Sequence, residues 1–165
     1  MRRTMWFPGL AVLMVLACNG AGAAGPKVGE KAPELTIVKW IGGEAVHPTA
    51  ADGKTVYVVE FWATWCPPCR KSVPHLNKLQ EQYKDKGLVI VGVTDDEPGK
   101  VEAFYKEMKM AYRVALDKNS ETMKRYGIEG IPQAFLVGRD GTIVWAGHPM
   151  NGLDEKLEEL LGKAK

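Results

Sequence analysis

The order of elements along this 165-residue chain predicts an α/β fold, a mixed sheet sandwiched between helices, and three observations carry that reading. Two nearly continuous β-branched and apolar runs, Val56 to Trp62 and Leu88 to Val93, flank a stretch with helical periodicity, the pattern of strands buried on both faces. A turn signal at Asp140-Gly141 joins two short apolar runs, Ala134 to Val137 and Ile143 to Ala146, as an antiparallel hairpin. A final amphipathic stretch closes the chain. Strand–helix–strand–helix followed by a hairpin and a helix needs both parallel and antiparallel pairing.

Each element has its own local reason. Gly25 to Lys31 is rich in Gly, Pro and charge and reads as a flexible lead-in. Leu35 to Val38 is a short strand candidate, followed by turn signals at Gly42-Gly43 and Asp52-Gly53. The helix after residue 66 places Val73, Leu76, Leu79 and Tyr83 at spacings of three and four, with Pro74 inside it and Gly87 at its end. Val101, Phe104, Tyr105 and Met108 give the next helix its apolar face. Met123 and Tyr126 suggest a short helix before Gly127. Leu153, Leu157, Leu160 and Leu161 mark the last helix, with Asp154 and Glu155 in its first turn, where they complement the dipole.

Composition is that of one globular domain: 45% hydrophobic and 25% charged. The first residues differ. Arg2-Arg3, a short apolar run to Ala17 and the small residues Ala21 to Ala24 have the layout of a secretory signal, so residues 1–23 are expected to be a removable leader and 24–165 the working domain. Val15-Leu-Ala-Cys18 also reads as a loose lipobox, in which case the leader ends before Cys18 and the chain is lipid-anchored through it. Either way the protein is expected to be exported, to the periplasm or the outer face of the cytoplasmic membrane. The net charge is +2, from 22 basic and 20 acidic residues, and loss of Arg2 and Arg3 leaves the domain neutral. That argues against a nucleic-acid partner.

Cys66-Pro67-Pro68-Cys69 is the most informative run. Two thiols two residues apart, after a strand and at the start of a helix, form a dithiol/disulfide couple. Cys66 falls at the helix N-terminus, where free N–H groups and the positive dipole end favour a thiolate. Cys69, one turn on, is placed to attack a mixed disulfide on Cys66. A structural bridge over so short a loop removes little chain entropy. A zinc site needs a second Cys/His pair, and the only other cysteine is Cys18.

Phe61-Trp-Ala-Thr-Trp-Cys66-Pro-Pro-Cys69, Pro74 five residues later, Gly130-Ile131-Pro132 far downstream and the segment Gly29-Glu-Lys-Ala-Pro33 resemble the thioredoxin superfamily, in its exported TlpA/ResA-like branch. The resemblance runs from about Gly29 to the C-terminus. It implies a thioredoxin-like three-layer sandwich with an N-terminal extension, and a protein disulfide oxidoreductase. Cys66 is then the exposed attacking cysteine and Cys69 the buried resolving one. Pro132 is the cis-proline facing the disulfide, with Ile131 pairing its backbone with client; Trp65, Pro67 and Pro68 complete the client-docking surface. Glu60 occupies the position of a buried acid behind the resolving cysteine and is expected to move protons to and from Cys69, burial raising its pKa. A glutamate reaching solvent at a strand edge is the alternative. The lysine that accompanies this acid in thioredoxins has no counterpart in Leu88 to Val93.

Partners implied are client proteins with disulfides, such as apocytochromes during cytochrome c maturation or metallochaperones, and a membrane electron donor; no cofactor beyond the Cys66–Cys69 pair, no bound metal and a monomer are expected. Two other classes share the fold. A peroxiredoxin of the AhpC/TSA type wants its threonine three residues before the cysteine with a proline upstream, whereas Thr64 stands two before Cys66. A metal-binding chaperone would need a histidine beside the box, and none of His47, His75 and His148, the only imidazoles, stands beside it. Arg70 and Lys71 are placed either to favour the thiolate or simply to be solvated.

Overall fold

The computed structural model describes residues 25–163; the leader at 1–23 and Cys18 lie outside the described residues. Six strands form one mixed sheet: β1 (Ile37–Ile41), β2 (Val56–Phe61), β3 (Leu88–Thr94), β4 (Arg113–Asp117), β5 (Gln133–Val137) and β6 (Ile143–Gly147). Four helices accompany them: α1 (Pro67–Tyr83), α2 (Pro98–Glu107), α3 (Glu121–Arg125) and α4 (Leu153–Leu161). The strand order is β1-β4-β3-β2-β5-β6. β2, β3 and β4 run parallel, while β1, β5 and β6 pair antiparallel with their neighbours.

β2 lies between β3 and β5 and is buried along its whole length. Successive side chains of a strand point to opposite faces. Val56, Val58 and Trp62 therefore join Leu76, Leu79, Val101, Phe104, Leu153 and Leu157 in one core, under α1, α2 and α4. Tyr57, Val59 and Phe61 join Tyr126, Phe135 and Val137 in the other, with Leu35 and Met123 packed against it. Phe61, Tyr126 and Phe135 form a ring cluster there, with centroids 5.0 to 6.0 Å apart. Glu60 belongs by alternation to the α1 side. Three layers result, with the sheet in the middle.

Three elements depart from the sequence reading. β4 was not expected: Val114-Ala-Leu116 is too short an apolar run to announce a strand, yet it fills an internal place between β1 and β3 and is almost wholly buried. β1 begins at Ile37 rather than Leu35, because its register is set by β4. The lead-in is not loose beyond Lys27: Gly29 N–H donates to Ile143 O (2.8 Å), Ile143 N–H to Glu30 O (2.8 Å) and Ala32 N–H to Gly141 O (3.0 Å), so residues 29–32 run beside β6 as an extension.

α1 passes through Pro74, which cannot donate to the Arg70 carbonyl. A 3-10 turn follows, and Gly87 ends it at φ 89°, with the Lys54 carbonyl 2.7 Å from where a Cβ would stand. The Asp140-Gly141 hairpin forms as expected, with Gly141 at φ 77°.

Candidate active site

The site sits at the carboxyl ends of β2 and β3, where open α/β sheets place their ligands. After Phe61 the chain leaves the sheet through Trp62–Trp65 and enters α1 with Cys66 as N-cap and Pro67 and Pro68 as the first two helical residues. Proline suits these positions because its φ is already helical. It also removes two of the free N–H groups that a helix start offers an anion. The expectation of several donors at Cys66 is thus corrected to one from this turn: Cys69 N–H donates to Cys66 Sγ at 3.3 Å.

Cys66 and Cys69 are joined as a disulfide, Cα to Cα 5.3 Å. In this oxidised state Cys66 is only 3% exposed and Cys69 not at all. The Ile131-Pro132 peptide is cis, and the Ile131 carbonyl oxygen lies 3.9 Å from Cys66 Sγ. A disulfide sulfur carries no proton, so this is a contact rather than a hydrogen bond. Two hollows flank the Ile128–Ile131 loop. One, of about 680 Å³, is bounded by Pro68, Pro132, Gln133 and His148; the other, of about 390 Å³, by Ala63, Trp65 and Asp95.

Trp65 is 71% exposed, unlike Trp62, which is core. The Trp65 indole N–H donates to Asp96 Oδ1 (3.2 Å), and Asp96 Oδ2 accepts from the Thr64 N–H (2.6 Å) and hydroxyl (2.8 Å). Asp96 thereby holds the loop that precedes Cys66. Sequence reading missed it; its place just past the end of β3, beside β2, was the available signal. Arg70 is engaged away from the sulfurs: its guanidinium stacks on Phe104 at 4.9 Å and reaches Glu107 and the Thr64 carbonyl, each at 3.4 Å. His75 contacts Asp154 of α4 at 3.0 Å, and His148 accepts the Met150 N–H.

Glu60 is fully buried, which overturns the solvent-reaching alternative. Burial of its charged form pushes its pKa up from 4.5 to about 8, while hydrogen bonds from Ser72 and Tyr112 pull in the other direction. Ser72 Oγ lies 3.1 Å from Oε1, and the Tyr112 hydroxyl 3.4 Å from Oε2. Burial likewise holds the Tyr112 hydroxyl well above its ordinary pKa, and Glu60 adds to that. Neither Ser72 nor Tyr112 was singled out from sequence. Ser72 follows Cys69 by three residues and so shares its helix face; nothing local pointed to Tyr112.

Among the described residues, no group of three His, Cys, Asp or Glu side chains is placed to hold a metal ion, and no helix is long and apolar enough to cross a membrane.

The Redoxin family profile matches residues 27–161. The thiol-disulfide oxidoreductase ResA of Bacillus thuringiensis subsp. konkukian is 34% identical over 140 residues, covering 83% of this chain and 78% of its own. ResA of Halalkalibacterium halodurans is 30% identical over 136 residues, 82% of this chain and 76% of its own. The thioredoxin domain of a thiol-disulfide oxidoreductase from Bacteroides vulgatus superposes with a TM-score of 0.74 at 27% identity, covering 83% of this chain and 99% of that one.

Proposed function

The chain belongs to the Redoxin family and is a thiol–disulfide oxidoreductase of thioredoxin-like fold acting on client proteins with disulfides, and we propose that it works outside the cytoplasm as a reductant of those disulfides. The observation that carries the chemistry is the Cys66–Cys69 disulfide at the start of α1, facing the Ile131-Pro132 peptide. In the reduced protein the Cys66 thiolate attacks one sulfur of a client disulfide. A mixed disulfide forms and the client's first thiolate leaves. Cys69 loses its proton and attacks Cys66 Sγ, which releases the client's second thiolate. Two electrons have passed to the client and the pair ends oxidised, as it stands in the structure.

Glu60 takes the Cys69 proton as general base. A carboxyl with a pKa of about 8 is protonated at neutral pH in the oxidised protein, the state that such a transfer leaves behind. Re-reduction by a membrane electron donor then finds an acid ready to reprotonate Cys69. Client segments dock in extended form along Trp65, Pro67, Pro68 and the Ile131 backbone, where the two hollows supply room on either side of the Ile128–Ile131 loop. Apocytochromes awaiting haem are the clients the family resemblance favours. Residues 1–23 serve as the export signal, or residues 1–17 as a lipoprotein leader that leaves Cys18 as the anchor; residues 24–165 act as a monomer that carries its electrons on the dithiol alone.

The deciding experiment is the reduction potential of the Cys66/Cys69 pair, by equilibration in glutathione or dithiothreitol buffers. A value near that of thioredoxin, about −270 mV, is expected of a reductant. A value near that of DsbA, about −120 mV, would make the protein a disulfide donor instead. Absence of a two-electron couple would refute the reading. Mixed instead with a disulfide-bonded client protein, Cys69→Ser should accumulate the mixed disulfide on Cys66.

A further inference from the structure

We propose that Ser72 is a positioning residue that couples the Glu60 carboxyl to the helix turn carrying Cys69. The proposal rests on the reading of Glu60 as the proton acceptor for Cys69, and it adds a residue through which that acid is held and sensed.

Ser72 is fully buried, and its Oγ has two acceptors within reach: the Cys69 carbonyl at 2.8 Å and Glu60 Oε1 at 3.1 Å. A hydroxyl has one proton and two lone pairs, so it cannot donate to both. When Glu60 is neutral, the carboxyl donates to Ser72 Oγ and Ser72 donates to the Cys69 carbonyl. Every polar atom in the chain Glu60–Ser72–Cys69 is then satisfied. When Glu60 is ionised, Ser72 turns its proton to Oε1, and the Cys69 carbonyl keeps only what the helix gives it. The hydroxyl rotor therefore has two positions, selected by the charge on Glu60, and one of them bonds to the backbone of the resolving cysteine.

The surroundings leave Ser72 as the closer of two donors. Glu60 pairs in register with Gly92 on β3 and Ala134 on β5, neither of which carries a titratable side chain. The Tyr112 hydroxyl, which precedes β4, is the other donor, at the longer distance of 3.4 Å; Tyr105 in turn bears on Tyr112. The indole N–H of nearby Trp62 is buried and makes no hydrogen bond. No basic side chain hydrogen-bonds Glu60 among the described residues. A donor at 3.1 Å to a carboxylate in so dry a place favours the ionised form, and its loss should make Glu60 hold its proton to higher pH.

The test is the pH profile of the Cys69 step. The reduced protein is mixed with glutathione disulfide at a series of pH values, and closure of the Cys66–Cys69 bond is followed after the mixed disulfide has formed. Ser72→Ala should move the profile upward by about one pH unit. Ser72→Thr, which keeps the hydroxyl, should restore it. In a Glu60→Gln background Ser72→Ala should change nothing further, because the hydroxyl acts through the acid. Thermal unfolding of each variant confirms that it is folded, and Ser72→Val, which has the shape of the threonine variant without its hydroxyl, serves if the alanine variant is not. A Ser72→Ala profile that overlays the unsubstituted protein overturns the proposal, as does an equal effect of Ser72→Ala with and without Glu60. If Glu60→Gln itself leaves the profile unchanged, the reading of Glu60 as the base has failed, a result separate from failure at Ser72.

Discussion

Glu60→Gln is expected to flatten the pH dependence of stability, and the size of the effect follows from burial. Glu60 titrates at 4.5 when unfolded and at about 8 in the folded, oxidised protein. Between those values the native state binds the extra proton, so stability of the unsubstituted protein falls as pH rises through the window. Each pH unit corresponds to about 1.4 kcal/mol. The contribution is absent near pH 4.5, amounts to about 3 kcal/mol at pH 7 and levels off at about 5 kcal/mol above pH 8. Glutamine does not titrate and escapes this loss. Its amide nitrogen donates to one of the two hydroxyls, Ser72 or Tyr112, its carbonyl oxygen accepts from the other, and any mismatch there is a constant offset independent of pH. The quantity to measure is therefore the difference between the two proteins, by urea unfolding of the disulfide form at half-unit steps from pH 4.5 to 9. It should grow in favour of glutamine by several kcal/mol. Parallel stability curves would refute the argument, for they would mean that Glu60 is solvated or already ionised at neutral pH.

Other substitutions test other parts of the site. Pro68→Ala supplies the N–H that α1 lacks at its second position and should lower the Cys66 thiol pKa by about half a pH unit, read from thiolate absorbance in a Cys69→Ser background; no change, or a rise, would show that the helix start does not reach the sulfur. Asp96→Ala removes the three hydrogen bonds that hold Thr64 and Trp65. It should destabilise by about 1 to 2 kcal/mol and slow reduction of a protein disulfide several-fold while sparing a small one; equal slowing of both would contradict a docking role for Trp65. Gly92→Ala would put a Cβ 2.7 Å from the buried Trp62 Nε1 and 3.2 Å from Tyr112, and should cost about 1 to 3 kcal/mol in denaturant unfolding; an unchanged midpoint would mean the pocket behind Glu60 is loosely packed.

Much of this molecule was legible in the amino-acid order, where the cause is local. The Cys66-x-x-Cys69 spacing places two sulfurs one helical turn apart whatever surrounds them. Val56 to Trp62 reads as a strand covered on both faces, and β2 forms there over Val56–Phe61, while only the assembled sheet settled that its glutamate is buried rather than at a solvent edge. Asp140-Gly141 closes its hairpin by its own backbone preferences. What tertiary structure alone decided is who meets whom across long separations. β4 owes its place to neighbours on both sides rather than to its own three apolar residues. Trp65 is held by a carboxylate 31 residues away, Glu60 meets a hydroxyl 52 residues away, and the Ile131 carbonyl comes to Cys66 across 65. Such pairings leave no periodicity behind, because they arise when β3, β4 and β5 align in register around β2 and bring their ends together. The sequence alone determined that this chain carries a redox dithiol; the assembled sheet decided which buried groups attend it.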